Sequence, residues 1–181
     1  MKKTLLALFL FAICFKTQMA ISQTLPIDKE TGAIIYSEVI TVDSVSKDEL
    51  YKRAKSCFVT LFKNSSDVIK NENSSDGTIT GKGVIKAYAR ALGTDYDGGY
   101  VNFFITIACK DGRYKYIITN LTHEGTGSKM PSGGNLENES VSTWTNKQWS
   151  IMKQQTNKSI IDLISQIKQI MLQKTIQSED W

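Results

Sequence analysis

YVNFFITIACKDGRYKYIITNLTH, Tyr100 to His123, decides the fold of this chain. Val101, Phe103, Ile105, Ile107 and Cys109 alternate with Asn102, Thr106, Ala108 and Lys110, the period of a strand with one buried face. Asp111-Gly112 is a favoured two-residue hairpin turn, because both central residues must take positive φ. Arg113 to His123 then returns. The turn sets the register: Lys110 opposite Arg113, Cys109 opposite Tyr114, Ile107 opposite Tyr116, Ile105 opposite Ile118. A core face follows, with Val101, Phe103, Ile105, Ile107, Cys109, Tyr114, Tyr116 and Ile118. The other face takes Tyr100, Asn102, Phe104, Thr106, Lys115, Ile117, Thr119, Leu121 and His123. It is less polar than a merely solvated face.

Working outward, Gly32 to Asp43 (GAIIYSEVITVD) is rich in β-branched and aromatic residues and reads as a strand. Ser46-Lys47-Asp48-Glu49 is a capping box, flanked by Val45 and Leu50 at the staple positions. Leu50, Ala54, Cys57, Phe58, Leu61 and Phe62 recur at helical spacing to about Lys63. Val68 to Glu72 is a short strand, and Ser75-Asp76-Gly77 a turn. Thr78 to Arg90 is a strand with Gly81 and Gly83 inside it, marking a bend or a close approach. Gly93 to Gly99 reads as a loop. Gly125 to Ser140 (GTGSKMPSGGNLENES) lacks periodicity and reads as a long flexible loop. Thr145 to Gln148 is a second capping box. Trp149, Met152, Thr156, Ile160, Leu163, Ile167 and Ile170 stripe a long helix to about Lys174. Its apolar stripe suits the cover of a sheet better than a membrane surface.

Residues 1–22 concern location. Lys2 and Lys3 precede an apolar run from Leu5 to Phe15, and Ala20 and Ser22 sit as small residues before Gln23. That order is a cleavable secretory signal. The run is shorter than the roughly 20 residues that span a bilayer. The expected product is exported to the periplasm, the cell surface or beyond, with no transmembrane helix once the signal is removed. The cut leaves 159 of 181 residues, one domain of ordinary size. The domain is α+β over 23–181: a core at about 25–125, the loop at 125–140, and the helix at about 146–174. The 41% hydrophobic content excludes a disordered chain. Three of the 22 basic residues (Lys2, Lys3, Lys16) lie in the signal, leaving 19 against 18 acids. No general basic field remains to attract nucleic acid.

The order is strand, helix, four strands, long helix. With LPIDKETGAIIYSEVITVD, SKDELYKRAKSCF, DGTITGKGVIK and KDGRYKYIITNLTHEG, it resembles a family of exported Bacteroidetes-type proteins of unknown function with a TATA-binding-protein-like fold. The resemblance implies two helices on one face of a curved antiparallel sheet, with the first strand beside Arg113 to His123. It implies no activity, ligand or catalytic residue. DNA-binding relatives use a basic, wedge-bearing sheet face. Here the free face is expected to hold few basic residues, so nucleic acid is not an expected partner.

No residue set points to catalysis. His123 is the only histidine, and it reads as a polar strand end on the free face. Cys57 and Cys109 point into the core, either as buried thiols or as one disulfide, which an oxidising compartment permits. Gly81-Lys82-Gly83 lacks the strand-to-helix context of a phosphate loop. Asp95, Asp97 and Gly98 lack the remaining ligands of a calcium loop. No cofactor or metal is expected.

Two non-catalytic functions remain. One is a protein-interaction module binding an envelope protein through Tyr100, Phe104, Ile117, Leu121 and His123. The other is a carrier of a small apolar ligand, with a cavity between the sheet and the long helix at Gly81, Gly83, Tyr114 and Tyr116.

Overall fold

The computed structural model describes residues 25–62, 68–91, 94–127 and 130–173. The signal segment lies outside these residues. The elements are β1 (Tyr36–Thr41), α1 (Lys47–Leu61), β2 (Ile69–Asn73), β3 (Thr78–Ala91), β4 (Thr94–Lys110), β5 (Arg113–Glu124), β6 (Gly134–Asn135) and α2 (Asn146–Leu172). The order matches the α+β reading. The sheet is antiparallel, in the order β1-β5-β4-β3-β2, and β6 adds to β5 beyond β1. The first strand therefore lies beside the Arg113 to His123 strand.

The hairpin register is as read, with Ile105 opposite Ile118, Ile107 opposite Tyr116 and Cys109 opposite Tyr114. The core face of the sheet is buried, including Ile79, Val101, Phe103, Ile105, Ile107, Tyr114 and Ile118. Both helices pack there, α1 against β3, β4 and β5, and α2 against β3 and α1. Ser46 accepts the Glu49 amide at the start of α1, and Thr145 accepts the Gln148 amide at the start of α2. Each cap satisfies a donor that the first helical turn leaves unpaired. Arg53, buried in α1, ties the helices together. Its Nε donates to Glu49 at 2.9 Å and its Nη1 to the Met171 carbonyl at 3.0 Å, in the last turn of α2.

Three expectations are corrected. Residues 94–99 are not a loop: β4 begins at Thr94, and its pairing with β3 runs to Ala91 opposite Thr94. An extra β4 residue there shifts the register, Lys86 facing Tyr100 but Tyr88 facing Asp97, and Gly99 takes φ +88°. Such a bulge needs a residue that tolerates the left-handed region. The 125–140 stretch is not a free loop, since β6 pairs with Thr122 and His123 and Leu136 is buried. The third correction concerns β5. Phe104 faces Thr119, but Asn102 faces Thr122, so β5 carries one extra residue. Asn120, with φ +58°, absorbs it. Side chains after it change faces, which puts Leu121 and His123 in the core.

Cys57 and Cys109 are free and buried. Burial pushes each thiol up to about 12, so neither is a ready nucleophile.

Candidate functional site

The helices cover one face of the sheet, and the other face is the candidate site. Tyr100 and Phe104 lie on it, 43% and 40% exposed, with half-buried Ile117. Leu121 and His123, expected beside them, are 0% and 1% exposed on the opposite face. The free face gains residues that sequence reading missed. Register puts Lys82 beside Phe104, Val84 beside Asn102 and Lys86 beside Tyr100, with Tyr88 following. Val84 and Tyr88 are exposed. Their signal was present as the alternation Lys82, Val84, Lys86, Tyr88, with Gly83 and Ala87 between. The glycines of β3 hid which face that alternation presents.

A cleft of about 450 Å³ opens on this face around Lys82, Asn102, Phe104, Asn120, Thr122 and Glu124. A second, of about 390 Å³, shares Asn120 and Thr122 and reaches Thr31, Asn135 and Glu137. The Asn120 bulge bends β5 between them. Asn102 donates to Glu124 at 2.8 Å, and Thr122 donates to Asn135 at 3.2 Å. Phe104 supplies the aromatic wall.

Cations outnumber carboxylates on this face. Lys82, Lys86, Lys110, Arg113 and Lys115 are exposed on it. The expectation of few basic residues therefore fails. It was drawn without β3, which contributes two of them, and without the hairpin end, which contributes two more. Asp97 is held by Lys86 at 3.3 Å. The Gly99 amide and then Lys86 keep the Asp97 carboxyl below its usual range, and Asp97 in turn raises Lys86. Among the described residues, Lys82, Lys110, Arg113 and Lys115 have no carboxylate within 4.0 Å.

His123 does structural work. Its Nδ1 accepts the Gly133 amide at 2.9 Å, so the proton sits on Nε2, which donates to the Gly98 carbonyl. Trp144 and Trp149 meet its ring edge-on, with centroids at 5.0 and 5.9 Å. Trp149 Nε1 donates to the Asn138 carbonyl at 2.8 Å, and Lys153 donates to the Leu136 and Asn138 carbonyls. Partial burial lowers the Lys153 ammonium. These contacts fasten residues 131–138 between β5 and α2.

The residues expected around an internal cavity are packed. A Cβ on Gly81 would meet the Phe58 ring, and one on Gly83 the Phe103 ring. The two rings fill the space the glycines leave. Tyr114 and Tyr116 are buried, Tyr116 donating to Glu38 at 3.1 Å. The Tyr114 hydroxyl has no hydrogen-bond partner among the described residues. Among those residues no group of three or more His, Cys, Asp or Glu gathers as a metal site. No described helix is long and apolar enough to cross a membrane.

No curated protein matches the chain. A TBP-like protein from Parabacteroides distasonis is similar in fold, with TM-score 0.62 at 12% identity over 82% of this chain and 99% of that one. A DUF4468 family protein from Bacteroides ovatus gives TM-score 0.57 at 15% identity, over 78% of this chain and 89% of that one. At such identities the likeness speaks for the fold alone. Residues 36–124 match the family model described as a domain of unknown function (DUF4468) with TBP-like fold, from the first strand to the end of the fifth. Residues 36–124 therefore form a DUF4468 domain of TBP-like fold.

Proposed function

We propose that the protein is a non-catalytic interaction module of the cell envelope, binding a protein partner through the uncovered face of its sheet. One observation carries the reading. Val84, Tyr88, Tyr100 and Phe104 stand together on one face of β3 and β4, each between 40% and 51% exposed. Apolar and aromatic side chains exposed together on an uncovered sheet face, here set diagonally among Lys82, Asn102 and Lys86, are a mark of a docking surface. The basic, apolar and small-residue order of residues 1–22 supports the envelope assignment. The filled space above Gly81 and Gly83 counts against the carrier reading.

The test is capture of partners by the tagged protein after crosslinking in its own envelope. Tyr100→Ser with Phe104→Ser should remove the captured partner while leaving far-UV circular dichroism and the thermal midpoint near wild type. Capture that survives both substitutions in a folded protein would overturn the reading.

A further inference from the structure

We propose that the partner presents an acidic protein segment to this face, an inference that rests on the face being the docking surface. Three carboxylates share the face, all at the end of β4 and β5 away from the hairpin: Asp97 pairs with Lys86, Glu124 accepts from Asn102, and Asp95 lies opposite Arg90. The cations Lys82, Lys110, Arg113 and Lys115 are exposed and have no carboxylate within 4.0 Å among the described residues. The face thus keeps its carboxylates at the end far from the hairpin, with Asp97 paired to Lys86, and presents these four cations around Phe104 and toward the hairpin. Apart from the 1–22 segment the chain is close to neutral, with 19 basic against 18 acidic residues. The excess on this face is a local feature, and complementary potential is what selects a partner and speeds encounter.

The layout also suits a polypeptide. Lys115 and Lys110–Arg113 lie toward the hairpin end, Lys82 lies beside Phe104, and Tyr100 and Tyr88 lie beyond. A strand or helix crossing β5, β4 and β3 meets cations first, then the Phe104 wall of the cleft. Carboxylates of the segment would pair with Lys115 and Lys82, and an apolar side chain would rest on Phe104. Thr119, opposite Phe104, can add a hydrogen bond, whereas Thr106 and Asn102 are already engaged with Thr80 and Glu124.

The test measures fluorescence anisotropy of a labelled peptide of repeating Glu-Glu-Leu with the purified protein. Wild type should bind. Lys82→Glu with Lys115→Glu should weaken binding about tenfold or more, and the Gln versions should fall between. Raising salt from about 0.1 M to about 0.5 M should weaken wild-type binding sharply. Lys158→Glu, an exposed reversal on α2, should change nothing.

Equal weakening by Lys158→Glu would overturn the proposal, because overall charge would then suffice. Tighter binding of a DNA duplex, or of vesicles of anionic lipid, would overturn it in favour of those polyanions. No peptide binding, alongside a captured partner that still depends on Phe104, would sink the acidic class and leave the docking face standing. No binding and no Phe104-dependent capture would remove both.

Discussion

The imidazole of His123 accepts the Gly133 amide on Nδ1 and gives its Nε2 proton to the Gly98 carbonyl. One side chain thereby joins the bulge of β4 to the segment that carries β6. All three groups are buried, so water cannot replace the bonds when the ring is removed. His123→Ala should cost about 3–5 kcal/mol, combining a cavity beside two tryptophans with two orphaned backbone groups. Urea denaturation would measure the loss. Amide exchange at Gly133 and Leu136 should accelerate before the exchange of β4 does. Nitrogen NMR should find the proton on Nε2. The opposite tautomer would refute the bonding pattern.

Much of this architecture was legible, and what was not has a common physical cause. Ser46, Thr145 and Asp111-Gly112 act within a few residues, so the two helix starts and the hairpin register follow from local pattern, although only Gly112, at φ +71°, takes the positive φ expected of both turn residues. The alternation from Val101 to Cys109 held for the same reason. Leu121 and His123 were misplaced because strand parity is cumulative. A single residue in the left-handed region, Asn120, reverses every side chain after it. Nothing local in THEG announces that reversal. Gly133 and Leu136 were read as loop because their pairing depends on His123, Trp149 and Lys153, ten or more residues away. The family resemblance supplied the topology but could not supply the phase of β5.

Gly83 lies under the Phe103 ring, and an added Cβ would collide with it. Gly83→Ala should destabilise the domain by about 1–3 kcal/mol, because a packed core yields only by forcing off-rotamer side chains. Phe103→Leu alone should also cost stability, since it leaves part of the space empty. Together the two should be less harmful than their sum, because the smaller side chain makes room for the methyl group. A double-mutant cycle in urea reads that coupling. Strict additivity would mean that the ring does not fill the space above Gly83.

Glu38 takes Lys168 at 2.7 Å and the Tyr116 hydroxyl at 3.1 Å, joining β1 to α2. Lys168, then Tyr116, hold its carboxyl below its ordinary value. A carboxyl lowered on folding contributes stability above its unfolded value and loses it as pH falls through the folded one. Glu38→Gln should therefore lower the urea midpoint at pH near 7 and matter progressively less below about pH 4. The effect should be small, because both charged side chains are more than one-third exposed. A difference that grows on acidification would reverse the assigned sign.

Arg53 is 5% exposed, and its Nη1 caps the Met171 carbonyl at the end of α2. The last carbonyls of a helix have no partner inside it, and a guanidinium there also meets the negative end of the helix dipole. Arg53→Met keeps the apolar stem but strands the Met171 carbonyl and leaves Glu49 without this ion pair. The expected cost is about 2–4 kcal/mol. Arg53→Lys should recover little, since one ammonium on a shorter reach cannot serve Glu49 and Met171 in the planar geometry of the fork. Thermal unfolding of the three proteins gives the ranking, and amide exchange in the last turn of α2 gives the location. If the last turn of α2 stays protected in Arg53→Met, the guanidinium is not what holds the helix end.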